Sequence, residues 1–173
     1  MPSLDPEFHL VIQDANIIID LHNAGILEQW FQLGIPTLTS DMVEQELQAG
    51  SQWEGVKVFI ESNELEVVSF TADEVLQIYS IKNQCAVSLP DCSVIYLSQK
   101  ESSRLLTGDR RLRKVAEGLE IQCGGVLWVF DLLIERGILS GQLASSALEQ
   151  MIEEGSRLPI NEVDKRLKFW ASM

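Results

Sequence analysis

Residues 104–114 read RLLTGDRRLRK, and the fold turns on how this stretch is parsed. Leu105 and Leu106 end an apolar run, and Thr107, Gly108 and Asp109 follow. Arg110, Arg111, Arg113 and Lys114 then crowd positive charge directly behind the acid. Parsed as a strand over 104–107, a glycine turn and a helix over 110–117, the stretch puts a carboxylate where a strand stops. Asp is a preferred helix N-cap, so capping alone accounts for Asp109 taken by itself. In open α/β sheets, however, chemistry gathers outside the carboxyl ends of the strands.

Working outward, the same strand-then-helix pattern repeats. Strands are predicted at 9–13, 35–39, 65–70 and 119–123, beside the one at 104–107. Apolar residues at helical spacing follow Asp14 as one or two helices, interrupted near Asn23-Ala24-Gly25 and closed by Gly34. Ser40 or Asp41 caps a helix that runs to Gly50. Thr71-x-x-Glu74 and Ser88-x-x-Asp91 are capping boxes that open helices over 71–85 and 88–100. Residues 56–61 are ambiguous. A helix over 125–136, after a turn at Gly124-Gly125, completes the alternation. Two more helices, parted near Leu158-Pro159, occupy 140–173. Alternating strands and helices imply a parallel sheet covered on both faces.

Composition narrows the class. The chain has 173 residues, enough for one domain with a full core, and 46% of them are hydrophobic. The longest stretches free of Asp, Glu, Lys and Arg, at 29–40 and 137–148, are too short to span a bilayer. The opening MPSLDPEFHL has no basic and apolar segments of a secretory signal. Cys85, Cys92 and Cys123 form no C-x-x-C pair, which suits reduced thiols in a cytoplasmic protein. His9 and His22 have no partner at zinc-ligand spacing. No G-x-S-x-G, P-loop or dinucleotide fingerprint is present. Net charge is −13, unfavourable for a polyanion partner, but the charge is segregated. No Lys or Arg occurs before Lys57, whereas six of the 13 fall within 100–114.

Four acids stand out. Asp14 and Asp109 follow predicted strands, and each could simply be a cap. Asp91 shares a helix face with Val94 and Ile95, so it should be partly desolvated, which is costly without positive charge. In the helix after residue 40, Met42, Val43 and Leu47 span an arc of roughly 140° that contains Glu46 and excludes Glu44. Taken singly each has a bland explanation, a cap or a stripe-edge charge. Four carboxylates close together cannot all stay ionised without counter-charge, which hard cations such as Mg²⁺ or Mn²⁺ supply.

The stretches around these acids resemble the PIN-domain family. VIQDANIII (11–19) resembles its opening strand, TSDMVEQEL (39–47) the helix whose Glu precedes Leu, LPDCSVIYLSQK (89–100) its third motif, and LLTGDRRLRKVA (105–116) its fourth. The resemblance implies a three-layer α/β/α sandwich with a central parallel sheet, and a Mg²⁺- or Mn²⁺-dependent ribonuclease. It implies that Asp14, Glu46, Asp91 and Asp109 hold metal and carry catalysis, aided by Asn16 and Thr107, leaving 5′-phosphate and 3′-hydroxyl ends. Toxin-type members are commonly homodimers restrained by a small antitoxin protein. The nuclease domain would span 1–137, and 138–173 would be a helical extension packed on it, as in one branch of the family. Arg110, Arg113 and Lys114 share a helix face that could hold RNA phosphates, while Arg111 points elsewhere. A protein-binding scaffold on the same fold is the alternative, suggested by the acidic surface and helical tail. A phosphatase of the haloacid-dehalogenase type is a weaker resemblance, because Asp14-Ala15-Asn16 lacks the second Asp.

Overall fold

The structure, a computed structural model, describes residues 9–173, so most of the segment read above for a secretory signal lies outside the described residues. Among the described residues, five strands form one sheet: β1 (Val11–Gln13), β2 (Thr37–Ser40), β3 (Leu65–Val68), β4 (Arg104–Leu106) and β5 (Cys123–Gly124). Their order is β3-β2-β1-β4-β5, and every pairing is parallel. The chain first steps outward from β1 to β2 and β3, then returns to the other side of β1 as β4. The junction of β1 and β4 is therefore the topological switch point, where a crevice opens beyond the carboxyl ends.

Among the described residues, ten helices accompany the sheet: α1 (Ala15–Asn23), α2 (Leu27–Gln32), α3 (Asp41–Gln48), α4 (Trp53–Glu61), α5 (Ala72–Gln84), α6 (Leu89–Lys100), α7 (Arg110–Gly118), α8 (Val126–Glu135), α9 (Gly141–Glu153) and α10 (Ile160–Trp170). Right-handed crossovers put α1 and α4 on one face of the sheet, and α5 and α6 on the other. The contacts agree: α1 touches α4 and α8, whereas α6 lies on β1, β2 and β4 beside α5. This is the expected three-layer α/β/α sandwich. Helix α3 touches both α1 and α6, so it joins the layers at the carboxyl edge.

The central strands β1 and β2 are buried throughout, as are Leu105 and Leu106 of β4, whereas the edge strand β3 exposes Glu66. Val11, Ile12, Leu105 and Leu106 are wholly inaccessible, and α6, whose Val94, Ile95 and Leu97 are equally buried, lies on β1 and β4. The ambiguous segment 56–61 belongs to α4, whose Val56 is buried. Gly25 and Gly34 take left-handed backbone and close α1 and α2. The predicted strand at 119–123 needs correction. Helix α7 ends with Glu120 in left-handed backbone and the Ile121 amide bonded to the Ala116 carbonyl. Helix termination thus consumes 119–121, and β5 starts only at Cys123. Gly124, read as part of a turn, is in that strand, and Gly125 is the N-cap of α8.

The C-terminal helices pack back on α8. Trp170 is buried against Phe130, with ring centroids 5.7 Å apart. Arg166 of α10 meets Asp131 of α8 at 2.8 Å, and also Glu162 at 3.0 Å. Among the described residues, no helix is long and apolar enough to cross a membrane.

Candidate active site

Asp14 sits directly after β1 and is 3% exposed. Its backbone amide is tied to the Leu106 carbonyl of β4, at the switch point. The side chain caps α1, with Oδ1 accepting from the Asn16 amide at 2.5 Å. Oδ2 accepts from the hydroxyl of Thr107, a wholly buried residue at the end of β4. That hydroxyl also accepts the Asp109 amide at 2.9 Å. A relay from Asp109 N–H through the Thr107 hydroxyl to Asp14 therefore links the ends of β1 and β4. Asn16 contributes its backbone amide here, and the residue itself is exposed.

Asp109 caps α7, with Oδ1 accepting from the Arg111 and Leu112 amides at 2.7 and 2.9 Å. Asp91 completes the capping box of α6, with Oδ2 accepting the Ser88 amide at 2.9 Å. The capping roles read from the sequence are all real. They leave Asp91 Oδ1 and Asp109 Oδ2 without a hydrogen bond among the described residues.

Electrostatics connect the four acids. Burial pushes the Asp14 carboxyl up to about 7, its two hydrogen bonds oppose this, and the charges of Asp91 and Asp109 push it further up. The Glu46 carboxyl is also raised, first by desolvation and then by Asp91. The charge of Asp91 is thus felt by both Glu46 and Asp14, and that of Asp109 by Asp14. None of the four is paired with a cation in a salt bridge among the described residues. Lys100, the nearest cation on α6 in sequence, instead pairs with Glu74 at 2.7 Å.

Glu46 departs from the half-buried position that its helical phase predicts. Glu46 is exposed as a residue, and Glu44 is the half-buried one. The Glu46 carboxyl group is still partly desolvated and feels the charge of Asp91.

A second relay, which sequence reasoning missed, joins α3 to α6. The Val43 amide donates to the Ser40 hydroxyl at 3.1 Å, Ser40 lies 2.6 Å from the Ser93 hydroxyl, and Ser93 donates to the Pro90 carbonyl at 2.6 Å. Both serines are buried. They set the helix of Glu46 against the helix of Asp91. Ser93 lies two residues past Asp91 on an otherwise apolar helix face, the one sequence signal that could have found it.

The basic cluster divides. Arg110, Arg111 and Lys114 are exposed, whereas Arg113 is half-buried and donates to the Thr107 carbonyl at 3.1 Å. The structure therefore turns Arg113 away from the outward face shared in sequence with Arg110 and Lys114.

The donor chemistry suits a hard divalent cation: several carboxylates, one deeply buried, with no salt-bridged cation among the described residues. Among the described residues, no three Asp, Glu, His or Cys side chains converge closely enough to hold one in their present rotamers. Like charges and nearby backbone amides explain this spacing, since each aspartate turns one oxygen to its own helix N-terminus. A cavity of about 480 Å³ lies at the opposite, amino end of the sheet, lined by His9, Arg104 and Gln122 among others. It takes no part in this constellation.

The chain is thus a three-layer α/β/α sandwich whose parallel sheet carries Asp14 and Asp109 at the switch point, beyond the carboxyl ends of β1 and β4. Residues 10–172 match the family model DUF3368, described as a PIN domain, and the chain belongs to this PIN-domain family. No curated protein matches the chain. A solved structure similar to it is that of PAE2754 from Pyrobaculum aerophilum. It is 17% identical, covers 75% of this chain and 96% of its own, and superposes with a TM-score of 0.49.

Proposed function

We propose that the chain is a divalent-metal-dependent endoribonuclease that hydrolyses RNA phosphodiester bonds. The observation that carries this is the buried Asp14 at the end of β1, linked through the Thr107 hydroxyl to Asp109 and, among the described residues, with no cation in a salt bridge to it, to Asp91 or to Asp109. Asp14, Glu46, Asp91 and Asp109 would hold Mg²⁺ or Mn²⁺, which supplies a water activated for attack and stabilises charge on the phosphate. Asp14 anchors the set from the strand end. Thr107 keeps Asp14 and the first turn of α7 in register. Asp91 and Asp109 each bring a spare oxygen, and Glu46 approaches from α3. Arg110 and Lys114 hold backbone phosphates on the exposed face of α7. The resemblance to toxin-type members extends the reading to a toxin restrained by a small antitoxin protein.

The test is cleavage of end-labelled single-stranded RNA by the full chain in Mn²⁺ or in EDTA, beside Asp14→Asn and Asp109→Asn. Cleavage that needs metal, leaves 5′-phosphates and is lost in both variants supports the proposal. Equal cleavage by wild type and variants contradicts it. A chain that neither cleaves nor binds metal, yet captures a protein partner, fits the scaffold alternative instead.

A further inference from the structure

Arg113 stands apart from the other cations of α7. A phosphate-binding arginine should present its guanidinium to solvent, but Arg113 lays its own against the Thr107 carbonyl at 3.1 Å. Thr107 is the residue whose hydroxyl lies between Asp14 and the Asp109 amide. Its amide is already held by the Gly124 carbonyl of β5 at 2.9 Å. Arg113 fastens the other side of the same residue. A charge-assisted hydrogen bond to a carbonyl is among the stronger neutral-partner contacts, and a rigid fork holds it in one direction.

The guanidinium reaches that carbonyl through a slot at Gly125. A Cβ placed on Gly125 would lie 2.7 Å from Arg113 Nη2, closer than real Cβ contacts allow. The backbone there is extended, with φ −127°, which any residue adopts. A side chain at 125 would thus displace the guanidinium of Arg113 while meeting no strain in the local backbone. The nearest other atom, the Thr107 carbonyl oxygen, would stand at an ordinary 3.5 Å.

We propose that Arg113 is a positioning residue of the acidic site: through the Gly125 slot it clamps the Thr107 carbonyl and so holds the Thr107 hydroxyl between Asp14 and Asp109. This rests on the ribonuclease reading for its functional meaning, but its structural core does not. Arg113 touches no reacting group; it acts through Thr107.

Three variants of the full chain test this: Gly125→Ala, Arg113→Met and Arg113→Lys. Gly125→Ala displaces only the flexible end of Arg113, so it should fold even if Arg113→Met does not. Amide hydrogen exchange read at Asp109, whose N–H is bonded to the Thr107 hydroxyl, should speed up by about tenfold or more in Gly125→Ala and Arg113→Met. Arg113→Lys should restore part of that protection. In RNA cleavage, kcat should fall by about 10- to 100-fold with KM and its salt dependence unchanged, as expected for lost alignment. The double variant should be no worse than either single one. Unchanged exchange at Asp109 in Gly125→Ala and Arg113→Met overturns the proposal, whether or not the chain cleaves RNA. So does a raised KM with a shallower salt slope and intact protection, which would make Arg113 a phosphate contact.

Discussion

Replacing Asp14 with Asn removes the carboxyl group that burial holds at about 7, and with it a pH-dependent penalty on folding. The ordinary value is 3.8, so between 3.8 and about 7 the folded chain keeps a proton that the unfolded chain has released. Stability from this group is complete below 3.8 and is lost as pH rises through the folded value. Asp14 is 3% exposed, so solvent screening takes little from the effect. At about 1.4 kcal/mol per unit, the full penalty above pH 7 is about 4 kcal/mol. Between pH 5 and pH 8 it grows by about 2.5 kcal/mol. Asn keeps the acceptor for the Asn16 amide but gives up one hydrogen bond with Thr107, a loss of about 1 kcal/mol at any pH. Urea denaturation in EDTA at pH 5, 6, 7 and 8, wild type beside Asp14→Asn, reads the difference directly. The variant should gain on the wild type steadily, by about 2.5 kcal/mol from pH 5 to pH 8. A difference that is flat, or that moves toward the wild type at pH 8, would refute the reasoning.

Other perturbations separate the remaining parts. Arg110→Ala with Lys114→Ala should flatten the salt dependence of RNA binding by about 1.4 in log–log slope while Mn²⁺ affinity holds, as filter binding at several salt concentrations would show. Ser40→Ala removes the cap of α3 and leaves Ser93 without its donor, so urea denaturation should show a loss of about 2 kcal/mol. Arg166→Met strands Asp131, whose side chain is 11% exposed, inside the α8–α10 contact. That should cost about 3 kcal/mol in urea denaturation at pH 7 and recover in part when Asp131→Asn is added.

The sheet was legible because buried parallel strands leave short apolar runs, and Asp14 and Asp109 mark their ends. The extent of β5 was not, because Leu119 and Ile121 look strand-like while the left-handed Glu120 spends them on ending α7. The capping boxes of α5 and α6 were readable from local spacing alone, since a box is a contact between near neighbours. The roles of Arg113 and Ser93 were not. Helical phase puts Arg113 with Arg110 and Lys114, and only the position of β5 and Gly125 beside it draws the guanidinium inward. Ser93 is meaningful only because β2 brings Ser40 to it across 53 residues of sequence. Glu46 shows the limit of an arc argument: phase placed it on the apolar stripe, but α3 ends two residues later and leaves it exposed.

The claim that these carboxylates act as one metal site is tested most directly by Mn²⁺ titration calorimetry on the full chain at pH 7, in two buffers of different ionisation enthalpy. With Asp14 near half-protonated at that pH, binding should release about half a proton per chain. Affinity should collapse in both Asp14→Asn and Asp109→Asn. No saturable binding, or binding with no proton release that survives Asp14→Asn, would contradict the account.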